Sequence, residues 1–521
     1  MRGTREKRST LLAATLASGI TSLPTTALGV AIPTLHDQLN ASLSELQWML
    51  TGYSLTYAAF LITAGRLSDI FGHRRIFLIG AVVFGVGSVL AALSFRPVFL
   101  ILSLAVIGAG GAMLVPASLS IVTNAFGERS RTTAIAIWGG ASGLISGLGP
   151  PIGGLLTNEV SWRGIFWVDV VIAAIIVAVA LRGVAESRDE QADRRIDYSG
   201  VLLLAGAVIA ISLVLIEGAS WSSGWASIPT LTLLVASAAL FAGFVLNERH
   251  VRSPVVHFAV LRHRNFVGGV VVKFVVNFVL GALFFLLPIY LQEILHYSPL
   301  ASGVLLLPLS GTFLISLPLG GRLMDRVGPR PPIVGGLALA SVGLFFLADI
   351  SLRTSYVDLW PAMLVLGFGV GLTLTPMNAA AINDVPIREH GQATGILTTV
   401  IGLGGVLGVA ITGTLFKSLE DSKLDHVLAK TGPSLPNEIE RELEGLLAHA
   451  DNAEARFDTF TEPAQRDIVR ALREAFVYAI SNALTVSVGV AILGAILTLL
   501  VLRRGRPAEA PVGTAAAEPS S

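Results

Sequence analysis

The stretch Gly65-Arg66-Leu67-Ser68-Asp69-Ile70-Phe71-Gly72-His73-Arg74-Arg75 returns 256 residues later as Gly321-Arg322-Leu323-Met324-Asp325-Arg326-Val327-Gly328-Pro329-Arg330. Each copy lies between two apolar runs, so each reads as a short charged turn joining two hydrophobic helices. Glycine permits close approach of backbones there. The carboxylates at Asp69 and Asp325 are suited to meet an arginine or a helix N-terminus as the flanking parts move. One such turn would be an ordinary basic loop. Two at equivalent places mark an internal repeat, and with it two related halves.

The composition around these turns agrees with a chain immersed in lipid. Of 521 residues 53% are hydrophobic and only 14% charged, where a water-soluble domain carries about 25% charged residues. The mean hydropathy is +0.73. A net charge of +1 removes the basic nucleic-acid binder and the acidic disordered chain from consideration. With no cysteine, thiolate chemistry and Cys-ligated metal sites are excluded, and the nine histidines have no ligand spacing. No Gly-x-x-x-x-Gly-Lys-Ser/Thr loop is present, so the chain has no recognisable ATP site. We expect no cofactor, no metal, no nucleic-acid partner and no enzymatic activity.

A spanning helix needs about 20 apolar residues. Fourteen stretches qualify, near 11–35, 46–64, 76–94, 98–125, 132–156, 165–181, 199–216, 227–246, 266–291, 300–321, 333–350, 359–382, 393–416 and 475–502. The first follows Arg2, Arg5, Lys7 and Arg8 and invites a signal-peptide reading, but its apolar run of about 25 residues exceeds a signal core of 7 to 15. It is predicted to be a retained first helix. With both termini cytoplasmic, the inner segments hold 24 Lys and Arg, while the short outer loops hold only Arg96, Arg163 and Arg353. This bias sets the orientation. The predicted organisation is an all-α polytopic membrane protein of fourteen helices arranged 6+2+6: a six-helix bundle over 1–184, two additional linker helices over 185–250, and a second six-helix bundle over 251–506. That last part includes an outer segment, 417–474, with helix-like patches at 438–450 and 464–476, read either as a helical hairpin over the outer mouth or as a solvated connector. Residues 507–521 read as a disordered cytoplasmic tail.

The twin turns resemble the signature loop of the major facilitator superfamily, whose two six-helix bundles alternate access around a midplane site. The 6+2+6 pattern resembles its fourteen-helix drug:proton antiporter branch. So do Trp162-Arg163-Gly164-Ile165-Phe166-Trp167-Val168-Asp169 and Leu287-Pro288-Ile289-Tyr290-Leu291-Gln292, the latter followed by Ser298-Pro299-Leu300-Ala301-Ser302-Gly303 and Pro308. The branch's helix 5 antiporter signature has its counterpart in Gly143-Leu144-Ile145-Ser146-Gly147-Leu148-Gly149-Pro150-Pro151-Ile152-Gly153-Gly154. By resemblance these imply secondary export of amphipathic small molecules, such as drugs, antibiotics or metabolites, from a prokaryotic plasma membrane, with substrate:proton antiport. Physically, Gly139, Gly143, Gly147 and the Gly149–Gly154 cluster leave one helix face bare for close packing, while Pro150 and Pro151 bend it. That combination suits a gate. The plainer reading is that Gly and Pro are simply common in membrane helices. Gly108, Gly110, Gly111 and Pro116 are echoed by Gly367, Gly369, Gly371 and Pro376, again as two related halves.

The chain also departs from the branch. Pro24 stands where the family's helix 1 acid is expected, Leu104 and Ile107 where an Arg and a Gln would precede Gly108, and Ile401 and Gly402 where an Arg-Gln pair is common in helix 13. These departures leave an uncoupled facilitator or lipid translocator of the same fold as an alternative, with a non-transporting membrane sensor or scaffold a third. Ionisable groups inside a membrane are functional candidates. Asp169, roughly 10 Å into its helix, is read either as a protonatable site or as a hydrogen-bonded polar substitute. Lys273, with Asn277 one turn on, either faces the cavity or snorkels to the interface; in the cavity it would favour anionic or neutral substrates. Trp138 and Trp167 are candidates for an apolar cavity lining. Glu217, Glu293 and Asp349 fall at helix ends and are expected to be solvated.

Overall fold

The computed structural model describes residues 2–188, 197–218, 226–251, 258–386, 390–431 and 462–502. The regular structure of these residues is entirely helical. The tail from 507 and the middle of the outer segment lie outside them. The first bundle comprises α1 (Arg2–Ile20), α2 (Leu23–Leu39), α3 (Leu43–Phe71), α4 (His73–Ala92), α5 (Pro97–Ala125), α6 (Glu128–Glu159) and α7 (Arg163–Gly183). An inserted pair follows, α8 (Tyr198–Glu217) and α9 (Ile228–His250). The second bundle comprises α10 (Arg264–Ile289), α11 (Pro299–Leu305), α12 (Leu307–Val327), α13 (Arg330–Ala348), α14 (Tyr356–Asn383), α15 (His390–Thr431) and α16 (Glu462–Val501).

Among the described residues, twelve helical stretches are long and apolar enough to cross a membrane, with α1–α2 and α11–α12 each forming one stretch. The helices α3 and α6, of 29 and 32 residues, are not among the twelve. Large apolar side chains such as Val82, Val86, Leu102, Val171, Leu234, Phe345 and Leu493 are exposed on the outside of the molecule. A surface this apolar has lipid as its solvent.

Local chemistry sets the helix ends. Ser42 accepts from the Glu45 backbone N–H, and the Glu45 carboxylate accepts from the Ser42 N–H at 2.8 Å, a reciprocal cap that starts α3. Ser298 caps α11, with Pro299 at its first position. At the end of the first bundle opposite the twin turns, here the far end, the Trp162 indole donates to Gln38 Oε1 at 3.0 Å, and Arg163 stacks on that indole while donating to the Ser94 carbonyl at 2.9 Å. The Trp-Arg pair therefore ties together the far ends of α2, α4 and α7.

Two predicted spans are broken. The first is not one helix: α1 stops at Ile20 and α2 begins at Leu23, because Pro24 has no N–H to donate and its ring crowds the preceding turn. A carbonyl left bare in hydrocarbon costs several kcal/mol, and the carbonyls around this break find hydroxyls. Thr21 and Ser142 donate to the Ser18 carbonyl, Ser22 to Gly19, Tyr53 to Thr21, and Thr25 and Thr26 to Ser22. The second break, at Leu306 between α11 and α12, precedes Pro308. Helix α15 runs further than its expected span, to Thr431, and α16 begins at Glu462 and takes in the expected helical patch at 464–476, so both described flanks of the outer segment are helical. The expected helical patch at 438–450 lies outside the described residues.

The inserted pair is an antiparallel hairpin. Asp197 caps α8 through the Gly200 N–H at 2.8 Å and accepts from Asn247 of α9 at 2.8 Å, while Ser237 of α9 donates to the Ala207 carbonyl at 2.9 Å. Partial burial pushes the Asp197 carboxyl up, but the bonds from Ser199, Gly200 and Asn247 outweigh it and hold the group below its ordinary range. Leu231, Leu234, Val235, Phe241 and Leu246 of α9 are exposed, so α9 lies outermost.

Candidate transport pathway

The twin turns lie at one end of the molecule, here the hinge end, and the same contact recurs in both. Arg74 donates to the Leu181 carbonyl at 2.9 Å and to Ala180 at 3.4 Å, in the last turn of α7. Arg330 donates to the Leu499 carbonyl in the last turn of α16. In each half a cation from the turn sits on the carbonyl end of the last helix of its bundle, where the helix dipole favours positive charge. The expectation at these turns was a carboxylate meeting an arginine or a helix N-terminus; the helix C-terminus escaped it, since nothing local links Arg74 to residue 181. Gly72 and Gly328 both take positive φ, 107° and 84°, which explains glycine at these two places. A side chain at Gly72 would also meet the Glu186 carboxylate at 2.6 Å. That carboxylate accepts from the Arg74 N–H at 3.0 Å, and His73 is held by Asp69 at 3.3 Å and the Ser187 carbonyl at 2.7 Å.

The bare face of α6 is the place where three elements meet. At Gly149 and Gly153 an added methyl would overlap Thr26 and the Ala27 backbone of α2, in the same bundle. At Gly154 it would overlap the Pro299 carbonyl of α11, in the other bundle, and a methyl at Gly303 of α11 would overlap the Pro150 carbonyl. A methyl at Gly147 would lie 3.3 Å from Ser310, and one at Gly143 3.5 Å from Leu314, both of α12. Towards the hinge end, Gly139 and Gly140 have nothing within 4 Å of such a methyl among the described residues. The contact between halves therefore tightens along α6 away from the hinge end.

Other pairs across the halves agree. Gly29 of α2 abuts the Phe284 carbonyl of α10 so closely that a methyl on Gly29 would come within 2.6 Å of that oxygen. Gln292, just past α10, donates to the Val30 carbonyl at 2.9 Å. Gly402 of α15 packs on Ala58 of α3, and Gly413 on Gln47 nearer the far end. The halves are closed against each other at the far end.

Lys273, Asn277, Leu280 and Phe284 share one face of α10; the Phe284 carbonyl on this helix meets Gly29 of the other half, and Asn277 also packs against Gly404 of α15 in its own half. Asn277 donates to the Lys273 carbonyl at 2.8 Å. Lys273 lies about nine residues, roughly 14 Å, from the start of α10 at Arg264.

Asp169 is fully buried, and neither carboxyl oxygen has a hydrogen-bond partner among the described residues. It does not face the space between halves. Ala173, one turn on and on the same face, lies against Gly85 of α4, where an added methyl would come within 3.3 Å of it, so Asp169 is on the face of α7 turned to the first bundle. It lies within electrostatic reach of Tyr53, whose hydroxyl holds the break in helix 1.

Two sequence candidates lie elsewhere. Trp167 is 46% exposed, on the outer side of α7 opposite Asp169, and lines no interior wall. Trp138 donates to Ser118 Oγ at 3.0 Å and packs with Ala14, Val122 and Ala134 inside its own bundle. Glu217 is half-buried and accepts from the Trp48 indole at 3.0 Å, rather than being solvated; Glu293 is also half-buried, while Asp349 is exposed as expected. Tyr53 and Ser142, which donate to carbonyls at the break in helix 1, are positions that sequence reasoning does not single out, and Gln292 enters it only as part of the 287–292 motif. The available signal for Tyr53 is a phenol within an apolar helix, which needs a partner for its hydroxyl.

With this geometry in hand, the family model described as Major Facilitator Superfamily matches residues 14–409, and the chain belongs to that superfamily. It is 31% identical over 510 residues to a tetracenomycin C resistance and export protein of Streptomyces glaucescens, covering 96% of this chain and 92% of that one. It is 34% identical over 397 residues to a puromycin resistance protein of Streptomyces alboniger, covering 75% and 78%. The multidrug resistance protein Stp of Mycobacterium tuberculosis is 32% identical over 430 residues, covering 82% and 79%. Among solved structures, a bacterial homolog of the human lysosomal transporter Spinster, in an inward-facing and unoccupied conformation, superposes with a TM-score of 0.64 at 18% identity, covering 96% of this chain and 99% of that one. A POT family transporter in complex with 5-aminolevulinic acid gives 0.62 at 14% identity, covering 95% and 96%. Both likenesses concern the fold.

Proposed function

We propose that the chain is a secondary exporter of amphipathic small molecules, of the drug and antibiotic resistance kind its relatives' names describe, working by alternating access. The observation that carries this reading is the one-sided closure: the halves pack backbone to backbone at the far end through Gly29, Gly154 and Gly303, and loosen along α6 towards the hinge end. Contacts made through glycine can separate and re-form without side chains to repack. The Lys and Arg bias of the loops supports a cytoplasmic hinge end and termini in a plasma membrane, so the closed far end would be the outer gate. Fourteen spans in a 6+2+6 order follow if α3 and α6 cross with their neighbours, dividing the chain as 1–184, 185–250 and 251–506.

For the driving force we infer substrate:proton antiport with Asp169 as the proton carrier. Helix 1 has Pro24 in place of the usual acid, and Asp169 is the carboxyl that remains enclosed in the first bundle. Gaining or losing charge there acts on Tyr53, which braces the break in helix 1, and so on the wall of the pathway. Lys273 and Asn277 supply polarity on the facing wall, and a lysine there favours acidic or neutral amphiphiles over cations. Expression in a bacterium stripped of its own efflux pumps tests the export reading. Accumulation of at least one of a set of acidic, neutral and cationic fluorescent amphiphiles falls; unchanged accumulation of all of them, with the protein present in the membrane, would rule it out.

A further inference from the structure

We propose that the inserted helix α8 is a strap across the closed far gate, and that its last turn sets how readily that gate opens. Helices α3 and α15 belong to different halves and meet along a seam from Ala58–Gly402 out to Gln47–Gly413. The far end of α8 is bonded to both sides of this seam. From the first half, Ser44 of α3 donates to the Ile216 carbonyl at 3.4 Å, and the Trp48 indole donates to Glu217 Oε1 at 3.0 Å. From the second half, Thr414 of α15 donates its hydroxyl to the Leu215 carbonyl. Three consecutive residues of one helix end thus take bonds from both halves.

The orphan carbonyls of a helix C-terminus need partners, most of all next to lipid. Here those partners come from two bodies that alternating access must separate. When the far ends of α3 and α15 part, the end of α8 can follow one of them only. Either the Ser44 and Trp48 bonds or the Thr414 bond is lost. The cost falls on the opening step alone, because all three bonds belong to the closed arrangement. The other end of α8 is anchored to α9 through Asp197 and Asn247, and mid-helix through Ser237, so α9 braces the strap from the lipid side. The inserted pair thereby has a mechanical role beyond joining the two bundles, one that rests on the gating geometry rather than on any substrate.

Spin-label distances test this directly, since the wild-type chain has no cysteine. Cysteines replacing Val160, 74% exposed at the far end of the first bundle, and Leu352, 45% exposed in the loop after α13, report opening of the far gate. A second pair replacing Val160 and Leu93 lies within one bundle and reports that the bundle is folded. In the full-length protein, Thr414→Val and Trp48→Phe each raise the ratio of far-open to far-closed populations about threefold or more, the scale of one net hydrogen bond. The intrabundle distance stays fixed, and Ser237→Ala, which loosens α8 from α9 only, leaves the ratio as in wild type. Unchanged ratios in Thr414→Val and Trp48→Phe would overturn the proposal. So would an equal shift in Ser237→Ala, which would mean general loosening. Because the distances are read without transport, the result stands apart from whether any amphiphile is exported.

Discussion

At the scale of single residues, the pathway is decided by where a few polar groups point. Lys273 and Asp169 are both legible as candidates in the sequence, since an ionisable side chain in an apolar run is rare and expensive. Which way each faces is not, because a helix face acquires meaning only from its neighbours. In the proposed arrangement Lys273 shares the face of α10 that meets Gly29 of the other half, whereas the Ala173–Gly85 contact sets Asp169 towards its own bundle. Trp167 shows the reverse failure: aromatic and close to Asp169 in sequence, it lies on the opposite face and is exposed. Lys273 has a direct consequence for selectivity. Replacing it by Met is expected to raise KM for an acidic fluorescent amphiphile about tenfold while leaving its neutral methyl ester within about twofold, roughly the worth of one charge-assisted contact. Michaelis constants for the matched pair, taken in vesicles, check this; equal effects on acid and ester would remove Lys273 from substrate recognition.

At the scale of elements, the glycine pattern of α6 is readable because it is local, repeating within one helix. Its division of labour is not readable, because that depends on which helices arrive from elsewhere. Gly153 packs within the first bundle against Ala27, whereas Gly154, next in sequence, packs across the halves against Pro299. A methyl at either place has no room, yet the two should act differently. Gly154→Ala is expected to wedge the far gate and shift the protein towards the far-open form, seen as faster labelling of an engineered cysteine near the seam. Gly153→Ala is expected to lower thermal stability by about 1 to 3 kcal/mol, the usual cost of overpacking, with no such shift. Similar labelling rates in the two variants would contradict this assignment. The break in helix 1 is hidden for a related reason. Residues 11–35 are apolar almost throughout, so length and hydropathy describe one span; against the family pattern Pro24 reads as a missing acid, and only the packed structure shows it as the start of a second helix.

For the whole molecule, the repeat at 65–75 and 321–330 carries most of the fold, since two like turns in like positions require two like bundles. The structure adds that the likeness extends to contact, Arg74 on Leu181 and Arg330 on Leu499. Which end is closed, and the bridging place of α8, depend on contacts between residues far apart in the chain and leave no trace in composition or spacing. The twelve apolar stretches, the superfamily match and the one-sided closure agree with the proposed exporter, a pair of rocking bundles, and uphill export by such a pair requires a source of energy. That requirement is best tested by flux of an exported amphiphile in sealed proteoliposomes, with and without an imposed pH gradient, for the wild type and Asp169→Asn. Proton coupling through Asp169 predicts accumulation against the substrate gradient only while protons run down theirs, and in Asp169→Asn loss of that uphill flux with downhill exchange retained. Wild-type flux that merely dissipates the substrate gradient, whatever the pH difference, would contradict it and leave Pro24 as the mark of an uncoupled carrier.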